Sequence, residues 1–311
     1  MKRRPVQKVH LVMGRWVMLS LVVASVGCSR ASEPAPRPDA ARTEPVATPV
    51  VAQPTDATPD ATPAAITTEA ATAKATPAAS TDRCPAGMIL VEGMACTNVK
   101  QECIDWAEDP AKNPYARCKK FKEPSECAGP KVPMAFCIDK EEYTLKNEEI
   151  PAGDVSWTEA KRTCEALDKR LCQETEWTFA CEGEQALPYP YGYERNPSVC
   201  NFEQQDVLNH DTGKMYDLRQ SVAANPQCMS PFGVHNMVGN IDEWVVLDKP
   251  HFSEKNGGRK MMSGLKGGWW GPLRNRCRPV TVDHDEVFHE LQTGFRCCSD
   301  AKGKVAQNDH E

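Results

Sequence analysis

The sequence predicts a mixed α+β domain with little regular secondary structure, held together by disulfides. Three observations carry that expectation. Two helix signatures stand among short strand-like runs, and glycine and proline punctuate the chain between about Glu182 and Gln227 too often for long elements. The chain also has 15 cysteines, none in a CxxC pair, behind an export-type N-terminus.

In chain order, Lys2, Arg3, Arg4, Lys8 and Arg15 precede the apolar run WVMLSLVVASVG, which ends at Cys28. The run is short for a membrane span, and Ser25 and Gly27 suit a peptidase, so residues 1–27 read as a removable signal. SVGC resembles a bacterial lipobox with Ser25 where leucine is usual. That resemblance implies lipidation of Cys28 and a membrane anchor, and Ser29 behind it implies the outer membrane. The alternative is an ordinary cleaved signal with a spare cysteine.

Without the five basic residues of the signal, the formal charge moves from −6 to −11. Nucleic acid and anionic surfaces are thereby disfavoured as partners; a charged partner would be cationic, or calcium. Setting Cys28 aside leaves 14 cysteines, an even number suited to a disulfide framework in an oxidising compartment.

From Ser29 to Asp82 the chain is Ala, Pro and Thr with scattered charges, without an aromatic, a glycine or a cysteine. Such a composition cannot bury enough apolar surface to offset its ordering entropy, so residues 28–82 read as a lipidated, disordered tether. A cysteine-rich segment, 83–135, follows with one strand-like run, MILVEG. Six cysteines lie between Cys84 and Cys137, and sequence alone does not choose their pairing.

FCIDKEEYT, from Phe136, opens the main domain (136–300) as a strand. Ser156 and Glu159 then form a capping box, and Trp157, Ala160, Cys164 and Leu167 share one helical face. A second helix is expected from Gln173 to Cys181 with Trp177 and Ala180 inward. Strand-like pieces return at EWVVL, KGGWW and GFRCC, and 301–311 is a polar tail.

Four stretches in order, DVSWTEAKRTCEALDKRLCQETEW, LPYPYG, FGVHNMVGNIDEWV and KGGWW with TGFRC, resemble the formylglycine-generating enzyme, or sulfatase-modifying factor, family. The resemblance runs from about Phe136 to Cys297, roughly half the chain. It implies an α+β fold related to the C-type-lectin-like fold. It also implies disulfides Cys164 with Cys297 and Cys181 with Cys277. Cys172, Cys200, Cys228 and Cys298 fall outside the family pattern; by elimination Cys172 pairs with Cys200 and Cys228 with Cys298.

The resemblance further implies a calcium site in NMVGNIDEW, built from the side chains of Asn236 and Glu243 and the carbonyls of Gly239 and Ile241. Calcium is a hard cation that wants several oxygens, and these are of the right type. The competing reading has Asn236, Asn240 and Glu243 only bracing a tight loop. A second family site would start at Asn201 and the carbonyl of Phe202, with Asp206 or Asp217 as its acid, or none.

Members that oxidise a substrate cysteine to formylglycine bind copper through two cysteines after the GG pair, and thiolates suit Cu(I) because they are soft. Between Gly268 and Cys277 this chain has no cysteine. Trp269 stands where the family has serine, and Pro272 falls where a ligand should be. No catalytic residue is therefore assigned, and neither copper nor iron is expected. The histidines His210, His235, His251, His284, His289 and His310 offer no HExxH, and the pair in HDEVFH is spaced by five, off a helical metal face; a solvated acidic segment is the better reading.

Trp269, Trp270 and Arg274 are the candidates for a peptide groove, aromatics and arginines being what dominates recognition surfaces. In the alternative both tryptophans are core, and Arg296 or Arg276 pairs with Asp242 or Glu176. The expected function is a non-catalytic, lipid-anchored module that binds a peptide or protein ligand and calcium. Two other classes remain: an oxidase of the same family with an unrecognised metal site, and, more weakly, a lectin-like carbohydrate binder.

Overall fold

A computed structural model describes residues 83–253 and 257–303. The signal, Cys28, the tether, His310 and most of the polar tail lie outside the described residues. The strands are β1 (Met88–Cys96), β2 (Val99–Lys100), β3 (Cys103–Trp106), β4 (Cys118–Phe121), β5 (Glu126–Cys127), β6 (Lys131–Asp139) and β7 (Arg170–Leu171). They continue as β8 (Asp242–Ser253), β9 (Arg259–Lys266), β10 (Val280–Thr281), β11 (Thr293–Gly294) and β12 (Cys297–Asp300). Two helices, α1 (Trp157–Ala166) and α2 (Glu174–Glu182), flank β7. The mixed, helix-poor architecture expected from sequence is what forms.

The strands make two four-stranded sheets, ordered β1-β6-β12-β7 and β10-β9-β8-β11, and two small hairpin-like pairs, β2-β5 and β3-β4. β1 pairs antiparallel with β6 along its whole length, Met88 opposite Asp139 and Cys96 opposite Lys131. The boundary expected at 135/136 therefore falls inside β6, and the cysteine-rich segment supplies an edge strand to the main sheet. The strand anticipated over FCIDKEEYT starts earlier, at Lys131, and ends at Asp139.

The capping box forms as the sequence indicates: Ser156 Oγ accepts from Glu159 N, and the Glu159 carboxylate accepts from Ser156 N at 2.9 Å. Ala160 and Cys164 are buried on the inner face, but Leu167 is 47% exposed. The helix ends at Ala166, so Leu167 sits at the C-cap outside helical geometry and leaves the apolar face. In α2 Trp177 and Ala180 are fully buried, as expected.

All 14 cysteines from Cys84 onward are in disulfides. Cys84–Cys137, Cys96–Cys127 and Cys103–Cys118 resolve the N-terminal six. Cys164–Cys297 and Cys181–Cys277 are the pairs implied by the family resemblance. The pairing reached by elimination is wrong: Cys172 joins Cys298, and Cys200 joins Cys228. Neighbouring residues on a strand point to opposite faces. Hence Cys297 bonds back to α1 while Cys298, opposite Arg170 in the β12–β7 ladder, meets Cys172 just beyond β7.

KGGWW is not a strand beyond its first residue. β9 stops at Lys266, and Gly267 and Gly268 take φ of +87° and +76°, which L side chains rarely adopt. A Cβ at Gly268 would meet the Asn275 amide at 2.5 Å, and one at Gly267 the Met237 carbonyl at 2.9 Å. The two glycines thus turn the chain and let it pack closely against Asn275 and Met237.

Candidate ligand groove

The turn after β9 forms one wall of a groove of about 800 Å³. Gly267, Gly268, Trp269, Leu273 and Arg274 line this side, and Val280, Thr281, His284 and Phe288 line another. The turn is braced from behind. Asn275, fully buried, donates to the Trp269 carbonyl at 2.7 Å, and its side-chain oxygen accepts from Leu273 N at 3.1 Å.

The two tryptophans part company at this turn. Trp270 is fully buried, so its expected place in the groove is corrected: it is core. Trp269 is half-buried, lies edge-on to Trp270 at 5.3 Å between centroids, and lines the groove. Arg274 is exposed at the rim, its guanidinium 5.2 Å from the Tyr115 ring centroid. Tyr115, 66% exposed on the cysteine-rich segment, extends the aromatic surface and was not singled out by sequence.

Two acceptors lie in the groove. Asp242 Oδ1 accepts from Gly268 N at 2.9 Å, and burial, followed by the charge of Glu243, pushes its carboxyl up to about 7. Gln292 contributes Oε1, buried and without a hydrogen-bond partner among the described residues. Neither residue was assigned to the groove from sequence, although Asp242 stands in the quoted GNIDEW stretch.

Behind the groove, Glu243, the only acid in the expected calcium set, is otherwise engaged. Glu243, fully buried, accepts Arg296 Nε and Nη2 at 2.6 Å each and Trp177 Nε1 at 2.7 Å. The same guanidinium also donates to the carbonyls of Asp139, Lys140 and His235. Arg296 therefore pairs with Glu243, not with Asp242 or Glu176, and Glu176 pairs with Arg170 at 2.6 Å. Asn236 gives its amide to Glu142 and the Val222 carbonyl, leaving its Oδ1 buried without a partner among the described residues. Gly239 O accepts from Ile241 N at 2.8 Å, and Ile241 is buried. A divalent cation needs the carboxylate that Arg296 has already neutralised, and the guanidinium on the same oxygens would repel it. As arranged, Asn236, Gly239, Ile241 and Glu243 do not fit calcium.

In the second set the side chains are engaged elsewhere: Asn201 Oδ1 accepts from Gln204 at 3.2 Å, and Asp217 is tied to Arg219 at 2.7 Å. Asp206 is exposed. What these asparagines do instead is brace loops: Asn240, at φ +62°, gives its amide to Glu142 and accepts from Asn201 and from Gln220 N. Glu142 has its carboxyl pushed up to about 8 by burial, then by the charge of Glu243, against the opposing pull of Arg296.

HDEVFH is less solvated than its composition indicates. His284 stacks on Phe288 at 3.8 Å, Glu286 pairs with Arg259, and His289 turns away to Asp154 at 2.9 Å. No group of three or more His, Cys, Asp or Glu side chains is arranged to hold a metal among the described residues. Cys277 and Cys298, the cysteines nearest the family's copper position, are both in disulfides.

Fold and turn together define a sulfatase-modifying-factor domain whose GG turn carries no cysteine before Cys277. A family profile described as Sulfatase-modifying factor enzyme 1-like domain matches residues 105–301, and the chain belongs to that family. It is 29% identical over 162 residues to the inactive C-alpha-formylglycine-generating enzyme 2 of Bos taurus, covering 49% of this chain and 51% of that one. Over 105 residues it is 30% identical to the formylglycine-generating enzyme of Bos taurus, covering 32% of this chain and 28% of that one. The chain thus spans about half the length, or less, of these curated relatives. Among solved structures, that described as CarF aligns with 70% of this chain and 98% of its own at 16% identity and a TM-score of 0.48.

Proposed function

We propose that this protein is a non-catalytic member of its family that binds a peptide or protein segment in the Trp269 groove. The observation that carries the reading is the turn from Gly268 to Cys277: it has no thiol, and its only cysteine is locked to Cys181. A Cu(I) centre built on two thiolates has no ligands there. The groove nevertheless keeps an aromatic wall at Trp269, a cationic rim at Arg274 and acceptors at Asp242 and Gln292, the mixture of apolar surface and few polar groups that suits an extended chain. One relative carrying the name of an inactive enzyme is in keeping with this reading. On the signal and Cys28, the module belongs to the cell envelope, anchored to the outer membrane through lipid and held off it by the tether.

The test is calorimetric titration with a CxPxR peptide of the sulfatase type. Trp269→Ala should weaken binding while leaving the unfolding midpoint close to that of the parent, because Trp269 is half-buried. Binding unchanged by that substitution would remove the groove from the proposal.

A further inference from the structure

A second, smaller pocket of about 230 Å³ lies beside the groove, where β3, β4 and the loop between them meet residues 274–276. Four arginines line it, Arg117, Arg195, Arg274 and Arg276, and no acidic residue does. Two of the four are neutralised from outside the lining. Arg117 pairs with Glu108 and Glu203, and Arg195 pairs with Glu203 at 2.5 Å and donates to the Leu273 carbonyl at 2.8 Å.

The other two have no carboxylate or hydrogen-bond partner among the described residues. Arg276, half-buried, stands over the Phe121 ring at 5.3 Å, and Arg274 over Tyr115 at 5.2 Å. An aromatic face offsets part of a guanidinium's lost hydration, but it leaves the N–H donors unsatisfied. A half-buried cation without an acceptor is costly unless something fills that role. Burial, and then the neighbouring charges of Arg274, Arg195 and Arg278, push the Arg276 guanidinium down from its ordinary value.

We infer that this pocket binds a single oxyanion group, a carboxylate, sulfate or phosphate, held by the paired N–H donors of Arg276 with Arg274 closing over it. Planar guanidinium donors match such oxygens in pairs, and the pocket has room for one small group. Gln101 also lines the pocket, with one of its two amide N–H donors given to the Ala186 carbonyl at 2.9 Å. The site shares Arg274 with the groove, but Arg276, which holds the anion, lines this pocket and not the groove, and the pocket wall is fixed by the Cys103–Cys118 staple. The inference therefore does not require the groove to take a peptide.

The experiment is isothermal titration of the purified full-length chain with sulfate, inorganic phosphate and acetate separately, ionic strength being held constant with chloride. Saturable binding of at least one is expected, and Arg276→Gln should weaken it by about tenfold or more, the loss of a charge-assisted donor pair. Arg274→Gln, at an exposed position, serves as the second variant and should weaken binding severalfold. The ligand-free melting midpoint of Arg276→Gln should not fall, because the substitution removes an unpaired charge. The arms distinguish the sources: sulfate and phosphate without acetate indicates a tetrahedral anion, and acetate a carboxylate. No saturable binding of any of the three, or binding that both substitutions leave unchanged, overturns the inference.

Discussion

Trp269 and Trp270 are adjacent and chemically identical, yet the turn gives them different work. Trp270 fills the core, so Trp270→Ala should cost about 3–5 kcal/mol in a denaturant titration, the range for emptying a large aromatic site. A loss near that of Trp269→Ala would contradict its assignment to the core. Glu243 and Arg296 are a buried pair with every polar atom engaged. Glu243→Gln leaves a buried guanidinium short of its counter-charge, and a loss of about 3–5 kcal/mol is expected. The pH dependence comes from Asp242 and, over a range reaching higher pH, from Glu142. The folded Glu142 carboxyl titrates near 8 against an ordinary 4.5, so the fold holds a proton that the unfolded chain has released. That contribution is complete below about 4.5 and is lost as pH rises through about 8, with a slope approaching 1.4 kcal/mol per pH unit between. Unfolding curves from pH 5 to 8.5 in chelator should show the decline; Glu142→Gln should remove it between about 7 and 8 and lessen the slope below 7, where Asp242 still contributes. Which of these residues could be read from sequence follows from how local their partners are: Ser156 and Glu159 announce their helix three positions apart. Glu142 and Asn240 are separated by 98 residues and meet only through the fold.

At the level of elements, disulfides fix how strands and helices meet. Two cysteines side by side on β12 send one bond to α1 and the other to the residue after β7. Strand alternation makes that division necessary once the β12–β7 ladder is known. Counting cysteines without the ladder leaves three arrangements of these four, and elimination selects the wrong one. Proteolysis without reductant followed by mass spectrometry should recover a peptide pair joining Cys172 to Cys298 and another joining Cys200 to Cys228. Replacing Cys200 and Cys228 together by alanine should lower stability by about 2–4 kcal/mol. KGGWW shows the same limit: its composition suits a strand, and the need for two consecutive residues of positive φ ends β9 one position before the glycines.

For the molecule as a whole, the two helices and the two disulfides that the resemblance implies are present, and the cysteine-rich segment, part of the family match from residue 105 onward, contributes β1 to the main sheet. The loops that the resemblance assigns to calcium are braced instead by Arg296, Glu142 and buried asparagines. Millimolar calcium should therefore leave the melting midpoint where chelator leaves it, and a rise of several degrees would mean that Glu243 releases Arg296 to take a cation. The central claim is that the GG turn has exchanged copper chemistry for recognition. It is tested most directly by incubating the Cu(I)-loaded, purified protein aerobically with a CxPxR peptide and measuring the peptide's mass. Unchanged peptide is the predicted result; conversion of its cysteine to formylglycine, at a rate above that of copper alone, would contradict the account.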